Sequence, residues 1–507
     1  MKLSHLLAAI SPIASEGPSD VQVRHVVHDS RHVTPGDVYV ARRGQRTDGH
    51  RYIDDAIRNG AVLIIAEEAP SGPLPTHVAW AKVDNTHEAL GLLCAAAAGH
   101  PSRRMLVIGV TGTNGKTTTS LLTEAALKHA TWYVGILGTV IERWPGHERP
   151  TEMTTPEADV LQHTLAQMAE ANVRCAVMEV SSHALALHRV TGVDFAVASF
   201  TNLTQDHLDF HGDMESYRLA KQSLFTHYLN NSPMARGAAI WVDDPVGATF
   251  AAECTKPVIR VGFSPRDGVD LWATNVTLTL DGVTALVHYK GEHTFLHSPL
   301  IGKHNLANLL LAIANVLLVD VPLSVAAEGV GALSHVPGRL QRVDGSKHFH
   351  VFVDYAHSPD ALTNVLAALR PLTRRRLITV FGCGGDRDRS KRPLMATATI
   401  QDSDLVYLTS DNPRSESPDQ IIADAARGFE TSGFPLLTAK LTSSRGYHIV
   451  ADRREAICRA IAAANSGDVV LIAGKGHEKY QEIQHIKHPF DDVAIASDFL
   501  YHQRGAA

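Results

Sequence analysis

MLVIGVTGTNGKTTTSLL, residues 105–122, reads as a buried strand, a Gly/Asn-rich turn and the opening of a helix. Gly112 and Gly115 let backbone N–H groups approach phosphate oxygens, with Thr113 and Asn114 between them, and the helix start adds its partial positive charge. Lys116 can reach the outer phosphates, Thr117 can offer its hydroxyl to Mg²⁺, and Thr118 continues the turn. The stretch therefore has the makings of a nucleoside triphosphate site. Position 110, where the common phosphate loop has its first glycine, is valine.

Apolar runs alternate with helical segments on either side of this loop: Ala61 to Ala66, Ala176 to Met178, Leu377 to Phe381, Leu405 to Thr409 and Val469 to Ala473. Such alternation predicts α/β domains built on mainly parallel sheets. A chain of 507 residues is too long for one core, and domains of about 100 to 200 residues imply three. The breaker cluster Gly99–Ser102 and the HVPGR string at His335–Arg339 place the boundaries, giving segments 1–100, 101–336 and 337–507.

Forty-seven Lys and Arg against 53 Asp and Glu leave a net charge of −6, without the basic excess a nucleic-acid partner needs. The one compact basic run, Arg374–Arg376, reads as a solvated helix end. Five scattered cysteines with no CxxC pair read as reduced thiols in a cytoplasm. Ser11 and Pro12 interrupt the apolar start, which reads as a first folded helix, and no apolar run is long enough to span a bilayer; Leu309 to Val319 reads as a buried helix.

Other strings carry chemistry. CAVMEVSSHAL sets Glu179 just beyond the carboxyl end of a strand, the rim where open α/β sheets bind ligands. FTNLTQDHLDFHGDMESYRLAK carries His207 and, fourteen residues on, Lys221. GKHNLANLLLAIA puts Asn305 and Asn308 on one side of a helix start. PGRLQ offers Arg339, VDYAHSPDAL offers Asp354, TSDNPRSE offers Asp411 to Arg414, and AGKGHEKYQ offers Gly474 and Glu478.

These strings, in this order and over almost the whole chain, resemble the Mur ligases; GTNGKTT also resembles the related folylpolyglutamate synthetases. The resemblance implies an N-terminal UDP-binding α/β domain, a central ATPase domain of phosphate-loop type with a parallel sheet, and a Rossmann-like C-terminal domain. It implies that ATP contacts Gly112–Thr118, Asn305, Asn308 (the pair at the adenine), Arg339 at the phosphates and Asp354 at the ribose. Lys116, Glu179, His207, Lys221 and Arg339 are then the catalytic set. Thr117, Glu179 and His207 would hold magnesium with Lys221, which in the family is carbamoylated by carbon dioxide, since a carbamate is an anionic oxygen donor and an ammonium is not.

DNPR is similar to the signature of the diaminopimelate-adding members. Arg414, assisted by Arg387 of GGDRDRSKRP, would pair with the distal carboxylate that lysine lacks, while Asp411, Asn412, Pro413, Gly474 and Glu478 complete the pocket. HDSR implies UDP contacts at Ser30 and Arg31; TTPEADVLQ and EVSSHALALHR imply muramoyl-peptide contacts at Thr154, Thr155, Ser181 and Arg189, with Leu187 standing where some members have glutamine. The implied reaction adds meso-diaminopimelate to UDP-N-acetylmuramoyl-L-alanyl-D-glutamate through an acyl phosphate, in cell-wall precursor synthesis, by a cytoplasmic monomer. Arg339 and Asp354 fall in the third segment and Lys116 in the second, so ATP would lie between domains that close on binding. Another Mur or folylpolyglutamate-type ligase, and an ATP-driven switch that forms no bond, are the alternatives.

Overall fold

The computed structural model describes residues 1–44, 47–70, 72–151, 153–346, 348–438 and 445–504. It falls into two compact units, one of residues 1–274, 287–295 and 307–332, the other of 275–286, 296–306 and 333–507. The α/β architecture expected from the alternating runs is present in both.

In the first unit, the N-terminal sheet runs in the order Ala14–Glu16, Ala79–Lys82, Leu63–Ala66, Val38–Val40, Val26–Val27. All its pairs are parallel except that of Ala14–Glu16, which runs antiparallel to Ala79–Lys82. The expected first helix is Leu3–Ile10, whose Leu3 and Leu6 are fully buried.

The central sheet has a parallel core in the order Val258–Val261, Gly237–Trp241, Val197–Phe200, Leu106–Thr111, Cys175–Glu179, Val134–Leu137. Its strands are mostly apolar and buried, as a sheet covered on both faces requires. Leu106–Thr111 lies in the middle with strands from later in the chain on both sides, so its carboxyl end opens at a reversal of strand order, the favoured ligand position in such sheets. Ile141–Trp144 and His147–Pro150 add antiparallel strands at one edge. Leu271–Thr279, Gly282–Tyr289 and Glu292–Ser298 follow at the other.

The C-terminal sheet runs Gln341–Val343, His350–Asp354, Val469–Ala473, Leu377–Cys383, Leu405–Ser410, Gly446–Ile449, parallel except for its first strand. Asp354 is in register with Ala473, and Cys383 with Ser410. Four motif-bearing loops, those after Asp354, Cys383, Ser410 and Ala473, therefore leave the sheet on one rim. The run Arg374–Arg376 is not a helix end: it links the short 3₁₀ turn Arg370–Leu372 to the strand Leu377–Cys383, and Arg376 pairs with the fully buried Asp468 at 2.6 Å. Leu309–Val316 lies buried within the helix Lys303–Leu317.

Candidate active site

The loop Gly112–Gly115 follows its strand directly, and the helix Lys116–His129 begins after Gly115, whose φ of +89° favours glycine. A Cβ at Gly115 would stand 2.5 Å from Asn308 Oδ1, so the asparagine packs against the loop where only glycine fits. Asn308 Oδ1 also accepts from Thr119 Oγ1 at 3.3 Å. Lys116 Nζ folds back on the loop, donating to the carbonyls of Gly112 and Thr113 at 2.9 and 2.8 Å.

Lys221 meets the same loop from the other side. Asp213 caps its helix, Met214–Ser223, by accepting from Ser216 N. Lys221 is 1% exposed, and its Nζ donates to the Gly112 carbonyl at 2.8 Å. Two lysines thus share one carbonyl oxygen. Burial, and then the Lys116 charge, push the Lys221 ammonium well below the usual lysine range.

Glu179 is the last residue of the strand Cys175–Glu179 rather than lying beyond it, and is nearly fully buried. It accepts from Thr117 Oγ1 at 3.0 Å, Thr139 N at 2.7 Å and Thr139 Oγ1 at 3.0 Å. His207 stands at φ +53°, its ring beside that of His183. Burial, then the charges of Lys116 and Lys221, hold it below the usual histidine range against the pull of Asp206.

Among the described residues no three His, Cys, Asp or Glu side chains are grouped to hold a metal. The Thr117 hydroxyl and Glu179 carboxylate, bonded to each other beside the loop, are nevertheless the hard oxygen donors that Mg²⁺ takes. Lys221, as an ammonium, is not a cation ligand.

Next to this site, Thr155 Oγ1 donates to the Glu179 carbonyl at 2.9 Å and accepts from Ser181 N at 3.0 Å, while Thr154 and Thr139 share a hydroxyl contact of 3.0 Å. Glu157 takes Arg42 on one oxygen at 2.8 Å and Arg189 on the other at 2.7 Å. Ser30 is 8% exposed in the turn Ser30–His32, which Asp29 caps, and the exposed Arg31 folds onto Asp29 at 2.6 Å.

On the C-terminal rim, Asn412 Nδ2 donates to Glu478 Oε2 at 2.9 Å, which joins two motifs 66 residues apart. Arg414, at φ +51°, donates through Nε to Glu482 at 3.2 Å and through a terminal nitrogen to the Gly385 carbonyl at 2.6 Å. A Cβ at Gly384 would meet Arg414 at 3.3 Å and Arg387 at 3.8 Å, so both arginines flank that glycine. Lys475, fully buried, lies 3.0 Å from Asp411 Oδ1.

Residues 22–98 match the Mur ligase family catalytic domain, 110–316 the Mur ligase middle domain and 338–476 the Mur ligase glutamate ligase domain. A UDP-N-acetylmuramoyl-L-alanyl-D-glutamate–2,6-diaminopimelate ligase of Geobacter metallireducens is 43% identical over 97% of both chains. One from Syntrophomonas wolfei is 41% identical over 99% of both. The chain belongs to the Mur ligase family. A solved structure of a ligase of the same name is 30% identical, with a TM-score of 0.72 over 99% of both chains.

As a Mur ligase the chain is an ATP-dependent, amide-forming enzyme. Among the described residues no helix is long and apolar enough to cross a membrane. Four more residues singled out in the sequence, Asp354, Asn305, Arg339 and Gly474, have these surroundings in the fold. Asp354 is spent on the backbone: its oxygens accept from Leu340 N at 2.7 Å and Ala356 N at 2.8 Å, and burial pushes its carboxyl up. Asn305, 4% exposed, donates to the Ile301 carbonyl at 2.8 Å. Arg339 lies over the Tyr355 ring at 5.2 Å. Gly474 has φ +119°, with Asp411 Oδ2 2.9 Å from where its Cβ would be. Four residues that organise the site, Thr139, Glu157, Lys475 and Glu482, were not singled out from sequence. Of these, Lys475 and Glu482 carry a signal, standing within and just after GKGHE.

Proposed function

We propose that this Mur ligase joins meso-diaminopimelate to the side-chain carboxylate of the D-glutamyl residue of UDP-N-acetylmuramoyl-L-alanyl-D-glutamate, using ATP. The observation that carries the reading is the meeting of DNPR with GKGHE, in which Asn412 holds Glu478 at 2.9 Å while Arg387 and Arg414 flank Gly384. Two carboxylates suit the distal ammonium of diaminopimelate and two guanidinium groups its distal carboxylate. The similarity to the Geobacter enzyme over 97% of both chains supports the same substrate pair.

Segment 1–100 binds the UDP moiety through Ser30 and Arg31, segment 101–336 binds ATP and the muramoyl peptide, and segment 337–507 binds the incoming amino acid. The ATP γ-phosphoryl group passes to the glutamyl carboxylate, and the diaminopimelate amine displaces phosphate from the resulting acyl phosphate. Gly112–Thr118 cradle the triphosphate, Lys116 turns from its loop carbonyls to the outer phosphates, and Arg339 offsets charge on the phosphoryl group in transfer. Asn305 and Asn308 support the adenine end, and Asp354 acts by fixing the backbone beside the ribose. Thr154, Thr155, Ser181 and Arg189 orient the acceptor. Thr117, Glu179, His207 and a modified Lys221 would hold Mg²⁺, which would supply electrostatic stabilisation of phosphate oxygens.

Carbamoylation of Lys221 is supported by its environment. A buried amine beside a second lysine is biased toward its neutral, nucleophilic form, which adds to carbon dioxide and releases one proton. Incubating the protein with ¹³C-bicarbonate should give one carbamate ¹³C resonance that Lys221→Ala lacks. An identical spectrum from the variant would refute the modification independently of the substrate assignment.

A further inference from the structure

Lys475 has no part in the reaction as derived so far, yet it is one of the most enclosed cations in the chain, at 0% exposure. Its ammonium donates to Asn412 Oδ1 at 2.7 Å and to the Tyr480 carbonyl at 2.8 Å. It stands 3.0 Å from Asp411 Oδ1 and 3.9 Å from Glu478 Oε2. An ammonium carries three donors and no acceptor, so whatever faces it must present oxygen.

That requirement settles Asn412. A carboxamide has two nearly isosteric ends, and its orientation follows from its partners. The Oδ1 end of Asn412 faces two donors, Lys475 Nζ and the Glu482 backbone N–H at 2.9 Å. The Nδ2 end is left to donate to Glu478 Oε2. Glu482 in turn receives the Arg414 guanidinium, and its carbonyl accepts from the Arg414 backbone N–H at 3.0 Å.

We infer that Lys475 is a positioning residue for amino-acid selection: its charge fixes the Asn412 carboxamide, which holds Glu478 together with Asp411 as the receptor for the distal ammonium of the substrate. This rests on the reading of the DNPR–GKGHE pocket as the diaminopimelate site. It assigns the lysine a role distinct from that of Arg414. The arginine reads the distal carboxylate; Lys475, without touching substrate, sets the pair of carboxylates that reads the distal amine. Its charge also offsets two carboxylates that would otherwise repel each other when the pocket is empty.

The discriminating substrate is 2-aminopimelate, which keeps both carboxylates of diaminopimelate and lacks the second amine. Wild-type protein should prefer meso-diaminopimelate over 2-aminopimelate in kcat/KM. Lys475→Met should reduce that preference by about 10- to 100-fold, the range for a charge-assisted hydrogen bond, through KM for diaminopimelate, with KM for ATP and for the UDP-linked acceptor unchanged. Lys475→Arg, which keeps a cation, should retain most of the preference.

Asn412→Asp provides a second route should the Met variant not fold. It leaves Lys475 its acceptor but removes the N–H that holds Glu478, and should lower the same preference. An unchanged preference in either folded variant overturns the inference. Failure of the wild-type protein to use diaminopimelate at all overturns instead the pocket reading on which it rests.

Discussion

Replacing Glu157 by glutamine removes the one anion between two guanidinium groups. Arg42 and Arg189 reach its two oxygens at 2.8 and 2.7 Å, and the three side chains are 20%, 15% and 26% exposed for Arg42, Arg189 and Glu157. Charge-assisted hydrogen bonds of this kind are worth about 1.5–3 kcal/mol when well buried. Residual solvent screening reduces each, while the unpaired arginines left behind repel one another. The net expectation is a loss of about 2 kcal/mol at pH 7. In a unit of this size that lowers its unfolding midpoint by about 3 °C.

The pH dependence gives a sharper test. Burial raises the Glu157 carboxyl, but Arg42 and Arg189 outweigh it and hold the group below its usual value. A carboxyl depressed in the folded state adds stability above its unfolded pKa, about 4.3, and loses that contribution as pH falls through the folded value. Wild type and Glu157→Gln should therefore differ most at pH 6–8, and the gap should narrow as pH falls below about 4.3 in differential scanning fluorimetry. Equal midpoints at pH 7, or a gap that persists undiminished at pH 3.5, would refute the ion-pair assignment. Because Arg189 also faces Thr155, the variant should raise KM for the UDP-linked acceptor more than KM for ATP.

Three further perturbations follow from the same geometry. Gly115→Ala places a Cβ 2.5 Å from Asn308 Oδ1 at φ +89°; it should weaken ATP binding by about tenfold or more, and Asn308→Ala should restore part of that loss in titration calorimetry. Arg453 and Asp492, both 0% exposed and paired at 2.6 Å, cannot be separated cheaply: Arg453→Met should destabilise the C-terminal unit by about 3–5 kcal/mol, read as a drop in its denaturant midpoint at neutral pH. Lys221→Ala should lower kcat by about 100- to 1,000-fold, and thorough removal of bicarbonate should inhibit wild type while leaving the variant's residual rate unchanged.

The parts of the fold that were legible in the sequence are those governed by local physics. Val469–Ala473 is a strand over the expected residues, and Leu377 and Leu405 begin theirs as read, because fully buried parallel strands are continuous apolar runs between breakers. The phosphate loop was legible for the same reason, since its glycines are demanded by φ and by close approach. The strands Leu271–Thr279, Gly282–Tyr289 and Glu292–Ser298 were missed although Asp281-Gly282 and Lys290-Gly291 are turn pairs set in alternating sequence, a half-buried pattern without long apolar runs.

In the candidate site, residue types single out groups with reactive chemistry but not what each is bonded to. Nothing local to Asp354 announces that two backbone amides take both its oxygens, nor to Arg414 that Glu482, 68 residues on, holds it. Such partners are set by sheet register. Asp354, Cys383, Ser410 and Ala473 share one rim because their strands run parallel, Asp354 level with Ala473 and Cys383 with Ser410. The joining of Lys475, Asn412 and Glu478 depends on that register, whereas Lys116 and Thr117 adjoin their loop within a few residues of sequence.

The most direct test of the proposed reaction is phosphate release by the purified protein with ATP, Mg²⁺ and UDP-N-acetylmuramoyl-L-alanyl-D-glutamate, comparing meso-diaminopimelate, L-lysine and no amino acid, with the product mass measured. Rapid release and a tripeptide product with diaminopimelate alone are expected. Equal turnover with lysine would contradict the role of Arg414, and phosphate release that needs no amino acid and yields no tripeptide would contradict the ligase reaction proposed.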